Sequence, residues 1–418
     1  MQSIEFLKQL YIDPATGSML FSVLLGIFIS SGYFLRLLFI KIKTCFGVKT
    51  IKQSEKHNKY LLYTDDKRYW NDFMPILDEF ERRKTDVSYW TSSEDDPVFF
   101  QSYKYVHPVF IGTGNKAFIR LNAAKADVLL TTTPGLDVLQ WKRSKGVKKY
   151  VHFMHAADTA LTYRMFQIDF FDSILTVADY QTEEIRKIEK IRNIPPKEMK
   201  VVGLPYFDTL SKKILSSPKP DNDKKVILLA PTWGKRGYLY SFGETLISKL
   251  VVLDYEIIFR PHPQSYDADK DVLDKIRTRF QGVENFKWNS DNDNFDALNA
   301  ADLLISDYSG VMFDFALVFS KPVMYTPETD FDNSIYDCAW LDETLWKYDA
   351  LPKIGCEIHA DDLDNIQVVI DEILSSGKYD QGIRKVREYA WMNQGHSAET
   401  IVDYLVDLQS IVSTQVEG

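Results

Sequence analysis

Basic residues follow a short apolar run in the second half of the chain, at a point where a strand is expected to end. Arg260 and His262 come directly after the letters EIIF, on either side of a proline that stiffens the turn. Arginine presents a planar fork of donors that suits phosphate oxygens, and histidine can donate to the same anion or protonate a leaving group. The pattern indicates an anion site, and an ordinary surface turn with an incidental ion pair is the alternative.

A second group of polar residues lies between two apolar runs at residues 301–316, ADLLISDYSGVMFDFA. A strand over 303–306 and a helix over 311–319 would place Ser309 and Gly310 at the start of that helix. Free backbone N–H groups and the helix dipole favour an anion there, and glycine lets a ligand approach the backbone. Serine is also an ordinary helix cap. Capping and phosphate binding need the same geometry, so both interpretations stay open.

Two histidines lie close together in the first half of the chain, in the letters VHFMHAAD. In a strand, His152 and His155 would point to opposite faces. His155 falls at the expected end of the strand, where it would face a cleft and could act as a general base. His152 is predicted to be packed inside the strand, and the same packed role is the alternative for His155.

Several motifs that would indicate other chemistries are absent from the sequence. The dinucleotide fingerprint GxGxxG, the phosphate loop GxxxxGK[ST] and the zinc motif HExxH do not occur, and residues 112–114 give only a GxG. The three cysteines, Cys45, Cys338 and Cys356, have no CxxC spacing, and Asp291 and Asp293 are interpreted as part of a polar loop. We therefore predict no metal and no cofactor. A net charge of −9 argues against a nucleic-acid partner.

The strands and helices that must position these residues alternate along the chain. A length of 418 residues exceeds one hydrophobic core. Short apolar runs alternate with amphipathic segments such as 69–83 and 181–192, which predicts parallel sheets covered by helices. The fold class is therefore α/β with two Rossmann-like domains, resembling the GT-B fold of nucleotide-sugar transferases, with ligands at the carboxyl ends of the strands. The predicted strands are 60–63, 87–90, 128–131, 150–153, 174–177, 201–203, 226–230, 256–259, 303–305 and 322–325.

A stretch without charged residues precedes these domains. Residues 15–35 are long enough to span a bilayer as a helix, although a buried core helix is the alternative. Lysines and arginines dominate the segment 36–59 that follows, so the rule of positive charge inside places the large domains in the cytoplasm. We expect one transmembrane helix in a bacterial cell membrane, with the basic segment near anionic lipid headgroups.

The expected domain boundaries follow from these patterns. Residues 211–225 are rich in Ser, Pro, Lys and Asp, which is typical of a linker between domains. The predicted parts are a membrane anchor with a basic start at 1–45, a first Rossmann-like domain on the acceptor side at 46–212, a linker at 213–225, a second Rossmann-like domain for the donor at 226–375 and a C-terminal helical segment at 376–418.

The loops together resemble one known family. APTWG, RPHP and SDYSGVMFDFALVFSKPVMY occur in this order, with TSSEDDP upstream at residues 91–97, and the likeness covers most of residues 60–345. This set is similar to the CDP-glycerol glycerophosphotransferases, the teichoic acid primases and polymerases. The resemblance implies transfer of an alditol phosphate from a CDP-alditol to a hydroxyl of a lipid-linked or glycan acceptor at the membrane, with release of CMP.

The resemblance also implies roles for individual residues. It places a catalytic histidine at His155, and it assigns Arg260, His262, Asp307 and Ser309 to the nucleotide and phosphate site. On this hypothesis His155 is the general base, while Arg260 and His262 stabilise the charge on the pyrophosphate as CMP leaves. Tyr308 or the loop Pro231-Thr232-Trp233 is expected to shape the nucleotide pocket. Gly310 stands where the family often has a second serine.

Two other functions fit the same patterns. A GT-B glycosyltransferase that uses a nucleotide sugar in cell-surface polysaccharide synthesis would need the same cleft and anion site. A membrane-anchored module without catalysis, which binds a polymer or a partner protein, would tolerate the loss of Arg260 and His262 together. The identity of the released nucleotide tests the glycosyltransferase alternative. Polymer synthesis by the variant that lacks Arg260 and His262 tests the module without catalysis.

Overall fold

The computed structural model describes residues 57–291, 293–327, 332–341 and 343–417. The uncharged run at 15–35, predicted to cross the membrane, lies outside the described residues, as does most of the basic segment after it. Within the described part, no helix combines the length and the hydropathy that a membrane span requires.

The first half of the described chain forms a parallel sheet whose strands run in the order β3-β2-β1-β4-β5-β6-β7. The strands are β1 (Asn58–Thr64), β2 (Val87–Thr91), β3 (Val106–Phe110), β4 (Lys125–Thr131), β5 (Gly146–Phe153), β6 (Ser173–Thr176) and β7 (Glu198–Val201). The helices between them are α1 (Trp70–Arg82), α2 (Asn115–Asn122), α3 (Asp179–Arg192) and α4 (Pro205–Ser216).

The second half forms another parallel sheet, in the order β10-β9-β8-β11-β12-β13. Its strands are β8 (Lys225–Ala230), β9 (Tyr255–Phe259), β10 (Phe286–Trp288), β11 (Leu303–Ser306), β12 (Val323–Tyr325) and β13 (Gly355–Glu357). Its helices are α5 (Glu244–Leu250), α6 (Ser265–Ala268), α7 (Lys270–Arg279), α8 (Phe295–Ala300), α9 (Val311–Phe313, continued by a π-helical turn over Asp314–Val318), α10 (Trp346–Ile354), α11 (Ile366–Ser376), α12 (Asp380–Ala390) and α13 (Ser397–Glu417).

The predicted α/β class with two Rossmann-like sheets is confirmed, and most predicted strands lie within a residue or two of the observed ones. The strand predicted at 201–203 is wrong. The observed strand ends at Val201, and Gly203 adopts a φ of +84° that a strand does not allow. Glu198 and Lys200 alternate with half-buried residues in this edge strand, so it lacks the continuous apolar run that marks the interior strands.

Helix α4 extends into the segment predicted as a linker. Leu210 is buried and Ile214 packs beside it one turn later, so the apolar face of the helix continues past residue 211. The linker predicted at 213–225 therefore begins inside α4, and the chain without helix or strand covers 217–224.

The C-terminal helix α13 returns to the first sheet. Its apolar face, which includes Ile401, Leu405 and Leu408, lies in the same buried cluster as Phe73 and Val128 of the first domain. Gln409 donates to the carboxylate of Asp127 at the start of β4 with an Nε2–Oδ2 distance of 3.1 Å. The helical segment predicted at 376–418 thus ends by packing on the first domain.

A segment of the second domain also reaches the first. Tyr336 forms an antiparallel bridge with Arg164, and the backbone N–H of Asp337 donates to the carbonyl of Tyr163 at 2.9 Å. The Asp337 carboxylate pairs with the buried guanidinium of Arg192, whose other nitrogen lies 3.0 Å from Asp169. We call residues 335–341 the strap. It connects the two domains beside the cleft.

Candidate active site

A cavity of about 450 Å³ lies in the cleft, where the carboxyl ends of strands from both sheets meet. It contains five of the predicted site residues, which are His155, Arg260, His262, Ser309 and Gly310. The cleft therefore brings together loops that are separated by as many as 155 positions in the sequence. A larger groove of about 620 Å³, lined by Phe166, Phe170 and Trp340, contains none of the predicted residues.

His155 follows the end of β5 and contributes to the wall of this cavity. Its Nδ1 is buried and has no hydrogen-bond partner among the described residues. Burial, reinforced by the positive charge of Arg68, lowers the pKa of His155 to about 4. The imidazole is therefore neutral at pH 7 and able to accept a proton, as a general base requires.

His152 is packed as the alternation along β5 predicts. Its side chain is fully buried, and its Nε2 lies 3.1 Å from the hydroxyl oxygen of Tyr163. Burial and the nearby His155 lower the pKa of His152 to about 3. This histidine belongs to the wall behind the cavity.

Arg260 and His262 lie in the loop that follows β9. The Nδ1 of His262 accepts a hydrogen bond from the backbone N–H of Gln264 at 3.1 Å, which leaves the proton of the neutral ring on Nε2. Burial and then Arg68 lower the pKa of His262. The guanidinium of Arg260 is partly buried and donates to the side-chain oxygen of Asn289. The guanidinium of Arg260 and the Nε2–H of His262 thus line the same cavity, each held by a hydrogen bond.

The turn before α9 supplies Ser309 and Gly310. The Ser309 hydroxyl lies 3.5 Å from the backbone nitrogen of Val311, at the outer limit of a hydrogen bond. Its capping of the helix is therefore weak, and the hydroxyl can donate to a ligand. Gly310 has a φ of −58°, and a Cβ added there would meet no atom within 4 Å. Space for a ligand is thus open at the start of α9.

Asp307 has a different environment from the one predicted. Its side chain is fully buried, and its Oδ1 and Oδ2 accept from the backbone N–H of Thr232 at 3.0 and 3.2 Å. Burial raises the pKa of Asp307 to about 7. A Cβ at Gly237 would lie 2.7 Å from its Oδ2, so the loop after β8 packs directly against this carboxylate. Asp307 positions that loop and does not line the 450 Å³ cavity.

Thr232 and Tyr308 lie in an adjoining cavity of about 290 Å³. The guanidinium of Arg236 stacks over the ring of Tyr308 with a carbon-to-centroid distance of 5.6 Å. Trp233, Lys235 and Lys347 also line this cavity, together with the carboxylate of Asp158. The planar rings and cations have the character that a nucleotide base and its phosphates require.

Asp293, which the sequence analysis assigned to a polar loop, lines the main cavity, and three further charged residues of the cavity were missed by the sequence interpretation. Arg68 lies in the turn after β1, held by a bond of 2.9 Å from its backbone nitrogen to Asp66. Asp72 lies in the first turn of α1, and Asp314 lies one turn into the helix that starts at Val311. The polar letters TDDKR directly after the first strand were a signal for Arg68. Nothing in the sequence pairs Asp72 with Asp314.

A metal ion would need several His, Cys, Asp or Glu side chains close together. Across the described ranges, no cluster of three or more His, Cys, Asp or Glu side chains has the arrangement that would hold a metal ion. Arg68 and Arg260 are the arginines that line the cavity among the described residues.

Two Rossmann-like domains with a cleft between them are the architecture of the GT-B class of fold. The family description "CDP-Glycerol:Poly(glycerophosphate) glycerophosphotransferase" matches residues 50–337. Because this match covers more than half of the chain, the protein belongs to that family of glycerophosphotransferases. The family interpretation made from the loops is thereby confirmed.

Individual relatives agree with this family. The chain is 29% identical to the teichoic acid glycerol-phosphate primase of Bacillus subtilis over 167 residues, which are 37% of this chain and 41% of the relative. It is 27% identical to the teichoic acid poly(glycerol phosphate) polymerase of Bacillus spizizenii over 177 residues, 38% of this chain and 42% of the relative. The chain thus matches less than half of the length of either relative.

Solved structures share the fold. The wall teichoic acid polymerase TagF superposes with a TM-score of 0.58 at 16% identity, covering 92% of this chain and 99% of that one. The UDP-GlcNAc 2-epimerase of Neisseria meningitidis superposes with a TM-score of 0.58 at 14% identity, covering 83% of this chain and 99% of that one. These likenesses establish the architecture alone.

Proposed function

We propose that the protein transfers glycerol phosphate, or another alditol phosphate, from a CDP-alditol to a hydroxyl of a teichoic-acid-type acceptor. The acceptor oxygen attacks the phosphorus that carries the alditol, and a new oxygen–phosphorus bond forms. The bond from that phosphorus to the bridging oxygen breaks, and CMP leaves with the bonding electrons. His155 takes the proton of the acceptor hydroxyl.

One observation carries this proposal. A neutral, unpartnered His155 from the first domain faces the same 450 Å³ cavity as Arg260, His262 and the start of α9 from the second domain. A base on one side and anion-binding donors on the other are the parts that in-line phosphoryl transfer needs. Arg68 adds a positive charge close to both histidines.

The hydrogen-bond donors of the cavity are proposed to bind different oxygens of the pyrophosphate. The Arg260 fork can bind two oxygens at once, and His262 presents the Nε2–H that remains after its Nδ1 accepts from Gln264. Ser309 and the weakly bonded backbone N–H of Val311 at the start of α9 are proposed to bind the remaining oxygens. The adjoining cavity with Thr232, Tyr308 and Arg236 is proposed to hold the cytidine.

The place of action is proposed from the sequence. The uncharged run at 15–35 and the lysines after it support a single membrane helix with the two domains on the cytoplasmic side of a bacterial membrane. This arrangement would bring the cleft within reach of a lipid-linked acceptor.

A donor screen tests the function. Membranes that hold the full chain are incubated with CDP-glycerol, CDP-ribitol and UDP-sugars, and the released nucleotide is identified. We expect CMP from a CDP-alditol, and no release by the Arg260→Ala/His262→Ala double variant. Release of UDP from a sugar would replace the proposal with a GT-B glycosyltransferase. Unchanged polymer synthesis by the double variant would favour a module without catalysis.

A further inference from the structure

Two carboxylates from different domains face the cleft cavity, and neither has a hydrogen-bond or ion-pair partner among the described residues. Asp72 comes from α1 of the first domain and Asp314 from the helix after β11 of the second, and both line the 450 Å³ cavity. Asp72 is only 7% exposed, and its Oδ1 is buried without any hydrogen bond in the described residues. Buried carboxylates are almost always satisfied, so Asp72 requires an explanation.

A structural role at the helix start does not explain Asp72. An acidic residue in the first turn often accepts a backbone N–H and complements the helix dipole. Here the helix begins after Tyr69 without a side-chain cap, and the Oδ1 of Asp72 accepts nothing. The carboxylate turns instead toward the cavity and toward Tyr206, whose pKa is raised by burial and then by the charges of Asp314 and Asp72.

The position of Asp314 relates it to the anion site. The backbone N–H of Asp314 bonds the carbonyl of Gly310 at 3.3 Å, so the two residues lie one helical turn apart, about 6 Å along the axis. Side chains on a helix lean toward its start, so the Asp314 carboxylate points back toward the turn that holds Ser309 and Gly310. A group attached to a phosphate at that turn would meet Asp314 next.

The chemistry of the pair selects a polyol and rejects a phosphate. Burial and then the facing Asp314 raise the pKa of Asp72, and burial raises the pKa of Asp314 to about 7. A pair with one protonated and one ionised carboxyl can both donate to and accept from hydroxyl groups, whereas its negative charge repels a phosphate. The phosphates are attracted to Arg260 and Arg68 instead, which gives the cavity a cationic part and a hydroxyl-binding part.

We infer that Asp72 and Asp314 form a polyol-binding pair that holds the hydroxyl groups of the transferred alditol while its phosphate lies at the start of α9. The inference rests on the proposed function and adds which groups recognise the alditol. The pair spans both domains, so the alditol would be bound only when both walls of the cleft are in place. The ligand class is a short polyol phosphate joined to a nucleotide.

Equilibrium binding to the full chain tests this pair. The two ligands are CDP-glycerol and the propyl ester of CDP, which has the same charge but lacks the two hydroxyls. We expect the wild type to prefer CDP-glycerol by on the order of 10-fold, the worth of a hydrogen bond to a charged group. Asp72→Leu and Asp314→Leu should each remove most of that preference and leave the affinity for the propyl ester within about 3-fold.

Asparagine variants and a distant control complete the design. Asp72→Asn and Asp314→Asn keep hydrogen-bonding atoms and should retain part of the preference, which guards against a leucine variant that fails to fold. Asp296→Asn changes an exposed carboxylate on the neighbouring helix α8, outside the cavity, and should behave as wild type. Thermal unfolding should show Asp72→Asn to be at least as stable as wild type, because it replaces an unsatisfied buried acid.

The outcomes separate this inference from the proposed function. An unchanged preference in both leucine variants overturns the polyol pair, and so does an effect that appears only with added Mg²⁺, because the carboxylates would then hold a cation. A higher KM for the acceptor with an unchanged donor preference also overturns it. A wild type that binds UDP-sugars and neither CDP ligand overturns the proposed function itself.

Discussion

The ring of Tyr69 stands edge-on against the imidazole of His155, with their ring centroids 4.8 Å apart and their planes at 72°. Tyr69 follows β1, and His155 follows β5, so this contact joins two loops at the carboxyl edge of the first sheet. The aromatic neighbour fixes the imidazole in a nearly dry position without using its buried Nδ1. The contact thus orients the imidazole and leaves its Nδ1 without a hydrogen bond among the described residues.

Replacing His155 should strongly lower kcat and leave the affinity for the donor nearly unchanged. His155→Gln is expected to lower kcat by on the order of 10²- to 10⁴-fold, the usual contribution of a general base. The affinity for CDP-glycerol should change little, because the proposed phosphate contacts come from the second domain. CMP release and equilibrium binding measure the two quantities separately. His107→Gln, an exposed histidine paired with Asp86, is the matched control, and wild-type turnover in His155→Gln would refute the base.

The fork geometry of Arg260 gives the second prediction. Arg260→Lys keeps the charge and loses the pair of parallel donors, so CDP-glycerol should bind on the order of 10-fold more weakly. The same change at Arg82, an exposed residue bonded to Glu79, should leave binding unchanged. Titration calorimetry with the full chain provides the dissociation constants. Equal affinities for wild type and Arg260→Lys would mean that Arg260 does not contact the donor.

Two glycines near the anion site should respond differently to a side chain. In Gly237→Ala the new Cβ would lie 2.7 Å from the Asp307 Oδ2, so the loop after β8 must shift. We expect a loss of about 1–3 kcal/mol in unfolding free energy, with weaker donor binding. Gly310→Ser meets open space with a helical φ of −58°, and its stability should stay within about 0.5 kcal/mol of wild type. Chemical denaturation compares them, and similar losses would contradict the packing argument.

The sequence predicted that Arg260, His262 and Ser309 would lie together, but it predicted less of the rest of the cavity. Arg260, His262 and Ser309 follow strands with strong apolar runs, and parallel strands bring their ends to one edge, so their convergence could be foreseen. The inward turn of Asp307 toward Thr232, 75 positions earlier, depends on β11 lying beside β8. Periodicity along a chain carries no information about strand order, so that contact could not be predicted.

Some strands were not predicted from the sequence, for a similar reason. Strands β10 and β13 have three residues each, too few for an alternating pattern to be seen, and β3 contains Pro108, which its position at the edge of the sheet permits. Asp72 lies on α1, whose charged surface resembles that of an ordinary amphipathic helix. Only the meeting of the two domains shows that this carboxylate faces Asp314.

The depressed pKa of His155 predicts how its replacement changes acid stability. The folded value is about 4 against an ordinary value of 6.5, so the unfolded chain binds the proton first as the pH falls. Wild type therefore loses stability between pH 6.5 and about 4 through this group, and His155→Gln does not. At pH 5 the variant should gain about 2 kcal/mol relative to its difference from wild type at pH 7.5.

Buried carboxyl groups change the stability with pH in the opposite direction to His155. The stability of His155→Gln must therefore be compared with that of wild type at each pH. Burial raises the pKa of Glu184 and of Asp314 to about 7, and these groups favour the folded state at low pH and lose that contribution as the pH rises toward 7. Both are present in wild type and in His155→Gln, so their effects cancel in the difference. Urea unfolding at a series of pH values measures it, and a difference that is constant between pH 7.5 and 5 would contradict a buried neutral imidazole.

The strap provides the last prediction, because its ion pair is buried and joins the two domains. The side chains of Arg192 and Asp337 are 3% and 1% exposed, and Arg192 also pairs with Asp169. Arg192→Met leaves two buried carboxylates without a cation and should cost about 3–5 kcal/mol. Asp337→Asn should cost less, because Arg192 keeps Asp169 and the amide oxygen still accepts from the backbone N–H of Phe166.

An exposed ion pair between the same two domains is the control. Lys187 and Glu343 lie 2.6 Å apart with side chains about half exposed, so Lys187→Met should cost less than about 1 kcal/mol. Thermal and urea unfolding of the three variants should therefore rank Arg192→Met first, Asp337→Asn second and Lys187→Met last. Because the strap connects both walls of the cleft, Arg192→Met should also raise the KM for the donor. Equal stability of Arg192→Met and Lys187→Met would show that the strap does not hold the domains together.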